Sequence, residues 1–196
     1  MPGQTASTRG SRSFIDPNHT TMSNNDPIQT LMQEHRVISA AQRQIVPLRG
    51  AWETDPAGYD EAARRLLGFF REYADQYHHH KEEAVLFREL RNHPDFRLDD
   101  ILDELENHHE MFRETIREIE SLLGNGGDRP KAQQLLEAYA DDLLDHIAVE
   151  DDELFVTAAS LFSPGELERL YFLFEDVDRE LGADRKKKLT ENAGKI

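Results

Sequence analysis

Two stretches with the same pattern decide the fold: HHHKEEAVLF at His78–Phe87 and HIAVEDDELF at His146–Phe155. Each stretch places a histidine four residues before a glutamate and ends in Leu-Phe. Residues four apart lie on the same face of an α-helix, one turn from each other. Each stretch therefore predicts a helix whose His–Glu pair lies on the face that continues into the core. A buried carboxylate is costly unless it is paired or binds a metal, so the repeated pattern needs a positively charged partner.

The composition limits the classes of function. The chain has 196 residues, 39 acidic against 23 basic side chains, a formal net charge of −16 and no cysteine. The length suits one well-packed domain, and the negative charge argues against nucleic acid and membranes as partners. No apolar run reaches the roughly 18 residues that a membrane span needs. The lack of cysteine excludes disulfides, thiolate metal sites and cysteine nucleophiles. The cytoplasm is the default location.

Four long stretches carry apolar residues at a spacing of three and four, which is typical of amphipathic helices. Three of them begin at an Asp or at an Asp-Pro pair, the arrangement favoured at a helix N-cap and first turn. Short connections make consecutive helices antiparallel neighbours, so the sequence predicts an all-α, up-down-up-down four-helix bundle over residues 26–160. The predicted helices begin at Asp26-Pro27, after Asp55-Pro56, near Asp99 and after Pro130.

The two ends of the chain have a different character. Residues 1–25 are rich in small polar residues and predict a disordered tail, with Met1 and Met22 both open as the start of translation. Residues 161–196 predict a C-terminal helix from about Pro164 to Leu181, introduced by the capping box Ser163–Glu166 and followed by an exposed basic tail. This helix is expected to pack across the bundle or to bind a partner chain, such as a second copy in a homodimer.

In each of the four predicted helices, the apolar residues form one line along the helix, which we call the apolar seam. Polar residues interrupt each seam near its centre. In an up-down bundle these interruptions can meet at one level inside the core. Imidazoles and carboxylates together suit iron, manganese or zinc. We therefore expect two metal ions, each with two histidine ligands, bridged by the two glutamates. The six expected ligands are His35, His78, Glu82, His109, His146 and Glu150.

Each part of this pattern also has a purely structural interpretation. A lone histidine on a seam is more often a hydrogen-bonded core residue than a ligand, and an acidic helix often carries a solvated His–Glu pair. The duplication favours the metal site. The neighbouring His79, His80 and His108 are expected on the surface or beside the ligands, because the helical periodicity directs His79 and Glu83 mostly outward. His79 with Glu83, or His108, would replace a ligand if the register shifts by one residue.

These residues resemble the hemerythrin-like, His-His-Glu cation-binding family of non-haem di-iron four-helix bundles, over about residues 26–160. The resemblance implies two non-haem irons bridged by two carboxylates and a solvent-derived oxo or hydroxo oxygen, with manganese or zinc less expected. The motifs that carry it are Glu34-His35, His78…Glu82…Leu86-Phe87, His108-His109 and His146…Glu150…Leu154-Phe155.

The third helix departs from the oxygen-carrying members, which use five histidines and a His-x-x-x-His pair there. Leu105 stands four residues before His109, so that pair is absent. The set of four His and two Glu resembles the iron-centre repair proteins and the iron- and oxygen-sensing domains, although the chain lacks the cysteine that repair proteins often carry. Ligand counting then leaves about one open position on each iron. This count fails if a seventh ligand, such as Glu34 or His108, reaches the metals.

Three functions fit this interpretation. The first is binding of O2, NO or peroxide in stress response, oxygen or iron sensing, or iron handling. The second is a di-iron oxidase or peroxide-decomposing enzyme, so the sequence leaves open whether the protein is an enzyme. The third is a helical interaction module with a structural metal. Ferritin-like chemistry is rejected, because those sites need Glu-x-x-His on two helices and only Glu106-x-x-His109 has this form.

Overall fold

A computed structural model describes residues 25–124 and 127–195, and within these ranges the chain forms six helices and no strand. The predicted tail, apart from Asn25, and both candidate start methionines lie outside the described residues. No helix in the described ranges is long and apolar enough to cross a membrane. The helices are α1 (Pro27–Gln42), α2 (Pro56–Phe69, Phe70–His79, Glu82–Phe87 and Arg88–Asn92 along one continuous path), α3 (Asp99–Gly124), α4 (Arg129–Val149, Glu150–Leu154 and Phe155–Leu161), α5 (Pro164–Leu181) and α6 (Ala183–Asn192).

Side-chain caps fix where several helices begin. The Asp26 carboxylate accepts a hydrogen bond from the backbone N–H of Ile28 at 2.9 Å, and Asp55 accepts one from Gly58 at 2.9 Å. A proline follows each cap in the first turn, where its missing N–H costs nothing. Such caps are each worth about 0.5–2 kcal/mol. They confirm the predicted starts of α1 and α2, and the predicted capping box starts α5.

The four helices α1 to α4 form the predicted bundle, and its core consists of two apolar clusters. Each of the four helices contributes to both clusters, and the polar seam residues lie between the two contributions. A polar layer therefore separates the two clusters halfway along the bundle. From α1 to α4 in turn, the core residues near this layer include Leu31, Leu86, Leu105 and Leu154 in one cluster and Ile38, Ala74, Phe112 and Leu143 in the other.

The C-terminal helices pack on this bundle. Leu170, Phe174 and Val177 of α5 are buried in the two core clusters, so α5 covers the bundle of its own chain. The predicted exposed tail is wrong in part: this segment forms α6, and Ala193 just beyond it is 1% exposed. Gly182 adopts a φ of 84° between α5 and α6, a conformation that favours glycine and turns the chain back.

Three segments of α2 and α4 are π-helical: Phe70–His79, Glu82–Phe87 and Glu150–Leu154. A π-helix bonds residue i to i+5, so it has a wider turn than an α-helix and shifts the side-chain register. Such segments occur mostly at functional sites. All three lie beside the polar layer.

Candidate metal centre

The six residues predicted as ligands meet in the polar layer. Each is at most 2% exposed, although each carries a titratable side chain. Their ligand atoms, with those of one further histidine, fall into two groups within which all the atoms lie within 4.8 Å of one another. The first group is His35, His78, Glu82 and Glu150, and the second is His79, His109 and His146.

The first group combines two imidazoles with two carboxylates. Nε2 of His78 lies 3.3 Å from Oε1 of Glu82, one helical turn further on. Nε2 of His35, from α1, lies 3.2 Å from Oε2 of Glu150 and 3.9 Å from Oε1 of Glu82. Four ligand atoms from three helices thus converge on one point, which is the arrangement expected around a metal ion.

The second group consists of imidazoles alone. Nε2 of His109 lies 3.0 Å from Nε2 of His146, and the His79 ring stacks on the His109 ring with centroids 3.8 Å apart. The three histidines come from α2, α3 and α4. Three imidazoles are a common ligand set for zinc, iron and copper.

Glu82 and Glu150 connect the two groups. Oε1 of Glu82 is on the side of His78, whereas Oε2 lies 3.7 Å from Nε2 of His109 in the other group. Oε1 of Glu150 lies 3.9 Å from the same nitrogen, and Oε2 lies 3.3 Å from Nε2 of His146. Both carboxylates can therefore bridge two cations, as the repeated sequence pattern predicted.

Carboxylates outside the centre orient three of the rings. Nδ1 of His35 lies 2.8 Å from Asp151, Nδ1 of His109 lies 2.7 Å from Glu83, and Nδ1 of His78 lies 3.1 Å from Glu34. Metal-binding histidines commonly bond a carboxylate through the nitrogen that does not face the metal. These contacts fix each ring with Nε2 directed into the centre.

Arg113 of α3 supports the side of the second group. Its guanidinium donates to Asp75 at 2.7 Å and to Glu83 at 2.6 Å. Asp75 in turn lies 3.8 Å from Nδ1 of His79. The arginine therefore balances the charge of two carboxylates that lie behind His79 and His109.

The acidic and basic side chains of the centre are buried close together, and this shifts their pKa values. Burial raises the pKa of Glu82 well above its usual range, and the neighbouring carboxylate of Glu150 adds to this. Burial lowers the pKa of His79 to about 4, and burial with the nearby Arg113 charge lowers the pKa of His109 to about 3. Burial also lowers the pKa of His146. These imidazoles are neutral at pH 7, which is the form that binds metal.

His35 differs from the other histidines. Burial alone would lower its pKa, but a hydrogen bond with Asp151 and the carboxylate of Glu150 3.2 Å away raise the pKa from 6.5 to about 9. In the metal-free protein its imidazolium therefore lies between two carboxylates. A cation that binds the centre takes the place of the proton on Nε2.

The donor atoms fit a metal better than they fit one another. None of the four buried carboxylate oxygens of Glu82 and Glu150 makes a hydrogen bond, and neither Nε2 of His35 nor Nε2 of His78 makes one. Unpaired buried carboxylates are strongly unfavourable in a protein core. A pair of divalent or trivalent cations would satisfy all six atoms at once.

The predicted outward position of His79 is wrong, since this side chain is 2% exposed and belongs to the second group. The cause is the π-helical segment that ends at His79, because its wider turn brings both His78 and His79 to the inner face. The seventh candidate ligand is therefore His79. Glu34 instead bonds a ligand ring from outside the centre, and His108 lies beside His146 with ring centroids 5.6 Å apart.

The remaining histidines lie away from the centre. His80 is exposed, as predicted. His93 caps a turn after α2, where its Nδ1 accepts a hydrogen bond from the backbone N–H of Asp95. His19 lies outside the described residues.

The sequence of the bundle matches a known protein family. The family model of the hemerythrin HHE cation-binding domain matches residues 26–158. The chain belongs to this family. The matched region covers α1 to α4 almost completely and contains all seven candidate ligands, so the hemerythrin domain is the helical bundle with its His/Glu metal site. No curated protein and no solved structure matches the chain.

Proposed function

We propose that this hemerythrin-domain protein holds two non-haem irons and binds a small ligand, O2, NO or peroxide, at the pair. One observation carries the proposal: the four oxygens of Glu82 and Glu150 lie buried and without donors between two groups of imidazoles. Iron would supply a redox-active cation with an affinity for small diatomic molecules. The donor set of imidazole nitrogen and carboxylate oxygen, with no thiolate, suits iron in this role.

The two sides of the centre are unequal, and this supports a defined binding side. His79, His109 and His146 would give one ion three imidazoles, and His35 with His78 would give the other ion two. If both carboxylates bridge, the ion on the side of His35 has one protein donor fewer. We therefore expect the small ligand on that side. The sequence alone predicted about one open position on each iron, and the unequal histidine groups replace that symmetrical expectation.

Apolar side chains enclose the two-imidazole side. The ring of Phe155 stacks on His35 at 5.3 Å, and Leu31, one turn before His35, is fully buried. Such walls exclude bulk water and favour small, weakly polar ligands over ions. Binding of O2 or NO is thus better supported than processing of a large organic substrate, because every candidate ligand side chain is at most 2% exposed.

The experiment is a metal analysis and an optical spectrum on protein purified without air and then exposed to it. About two irons per chain and new ligand-to-metal bands in air are expected. Bands that reverse when O2 is removed support binding or sensing, whereas steady consumption of O2 or peroxide supports the oxidase alternative. Less than about one metal per chain after reconstitution with iron, with the helical fold intact, would overturn the proposal.

A further inference from the structure

Lys81 is a fully buried lysine beside the metal centre. Its ammonium group has three N–H donors, and three acceptors surround it: Oε1 of Glu34, the hydroxyl of Tyr77 and Oδ1 of Asp178, each at 2.6 Å. A buried charge persists only when it is paired and its hydrogen bonds are satisfied. This cation meets that condition, since it donates hydrogen bonds to Glu34 and Tyr77 and forms an ion pair with Asp178.

The three partners connect separate parts of the fold. Glu34 belongs to α1, Tyr77 and Lys81 to α2, and Asp178 to α5. The second oxygen of Asp178 accepts a hydrogen bond from Lys186 of α6. Two carboxylates and two ammonium groups thus form a neutral cluster, fully buried at Lys81 and partly exposed at Lys186, that joins the C-terminal helices to the bundle. We name Glu34, Tyr77, Lys81, Asp178 and Lys186 the lysine cluster.

One member of the lysine cluster also touches the metal centre. Oε1 of Glu34 accepts from Lys81, and Oε2 lies 3.1 Å from Nδ1 of His78. The carboxylate that orients a candidate metal ligand is therefore itself held by a lysine that α5 helps to bury. No described residue of α5 or α6 belongs to either group of candidate ligands.

This arrangement differs from that of the other two oriented histidines. The carboxylates behind His35 and His109, which are Asp151 and Glu83, are each 31% exposed and lie within the bundle helices. Glu34 is 4% exposed and depends on contacts from α5 and α6. His78 is thus the candidate ligand whose supporting carboxylate belongs to a cluster that extends beyond the four-helix bundle into α5 and α6.

We propose that α5 and α6 are coupled to the metal centre through the lysine cluster, with Glu34 as the positioning residue for His78. Docking of the two C-terminal helices and binding of a cation then stabilise each other, and the coupling acts equally in both directions. The proposal rests on metal binding at the proposed centre but not on iron or on its small ligand. A metal without redox chemistry therefore tests it separately.

The probe is Zn²⁺ added to the metal-free full-length protein, with amide hydrogen exchange in α5 and α6 as the first measurement. Zn²⁺ should slow exchange in these helices although they provide no ligand. Asp178→Asn and Lys186→Met should abolish this metal-dependent slowing and weaken Zn²⁺ binding at least about five-fold. Glu34→Gln should weaken Zn²⁺ binding by about 10–100-fold, as for other outer partners of metal-binding histidines.

The matched control is Asp176→Asn, two residues before Asp178 on the same helix, where the side chain is 58% exposed and pairs with Arg179. It should behave as the wild type. The proposal is overturned if Zn²⁺ leaves exchange in α5 unchanged in the wild type, or if Lys186→Met keeps full metal-dependent slowing. Lys186→Met decides the matter if Asp178→Asn does not fold, because Lys186 is 30% exposed. The two proposals can fail separately. If the Zn²⁺ experiments give the expected slowing of exchange but the iron-loaded protein binds no small ligand, only the proposed function is wrong.

Discussion

The imidazole rings of His79 and His109 stack with their centroids 3.8 Å apart and 10° between their planes. His109 thereby links both groups of candidate ligands, since its Nε2 also faces Glu82 and Glu150. The neighbouring positions His78 and His79 each serve a different group. The π-helical backbone that ends at His79 directs both of these consecutive side chains to the inner face.

His79→Leu should weaken the binding of one of the two metals. Leucine fills a similar volume without a donor atom, so the three-imidazole group keeps only His109 and His146, the same number of imidazoles as the other group. We expect the affinity for one ion to fall at least about 10-fold while the other ion still binds. The control is His80→Leu, whose exposed position should leave both affinities unchanged. Equal affinities in both variants would show that His79 is a packed core residue and not a ligand.

Glu82→Gln should change stability in opposite directions with and without metal. In the metal-free protein, burial raises the pKa of Glu82, so folding at neutral pH must protonate this carboxyl or bury its charge. Glutamine removes that cost, so unfolding should require about 1–3 kcal/mol more. With Zn²⁺ the wild type should gain stability through binding to the folded state, and the variant should gain much less. Thermal unfolding with and without Zn²⁺ measures both effects. Glu153→Gln, at an exposed position of the same acidic run, is the control and should change neither.

The sequence predicted the bundle and the six residues that meet in its polar layer because these features are local or repeated. The caps at Asp26 and Asp55 depend on residues no more than four positions apart, so they mark helix starts in the sequence. The His–Glu spacing likewise identifies one face of a helix. The lysine cluster could not be predicted in this way. Lys81 looks like a solvated residue in a charged run, and only the docking of Asp178, far away in the sequence, buries it.

His79 shows a different limit of sequence patterns. Its neighbours one turn away, such as Asp75 and Glu83, are polar, and a period of 3.6 residues therefore directs it outward. No residue type in the segment marks a π-helix, so the change of period could not be seen. Three successive histidines before a Lys-Glu-Glu run were the one available signal, and they left the choice between His78 and His79 open.

Metal binding should release protons at neutral pH. His35 has its pKa raised from 6.5 to about 9, so the metal-free protein carries this proton at pH 7, and the raised pKa of Glu82 acts in the same sense. We expect release of at least about one proton per chain when Zn²⁺ binds at pH 7. Calorimetry in buffers of different ionisation enthalpy measures this number. A value of zero would mean that His35 keeps its proton and is not a ligand.

The raised pKa of His35 also determines in which direction the stability of the folded protein changes with pH. Because the pKa of His35 is higher in the folded state, its contribution to stability is complete below pH 6.5 and is lost as pH rises through about 9. The metal-free protein should therefore unfold at lower temperature at pH 9 than at pH 6.5. Zn²⁺ should oppose this loss, since its affinity rises over the same interval. Melting curves at both pH values, with and without Zn²⁺, test the expectation.

Asp151→Asn should weaken the centre by releasing His35. The Asp151 carboxylate lies 2.8 Å from Nδ1 of His35 and helps to direct Nε2 at the bridging carboxylates. Loss of such an outer partner typically costs about 10–100-fold in metal affinity. An Asn side chain can still accept from Nδ1–H, but without the charge the pKa of His35 falls and fewer protons leave on metal binding. Asp152→Asn, at the exposed neighbouring position, serves as the control. Unchanged Zn²⁺ affinity and unchanged proton release in Asp151→Asn would assign the orientation of His35 to its packing against Phe155 instead.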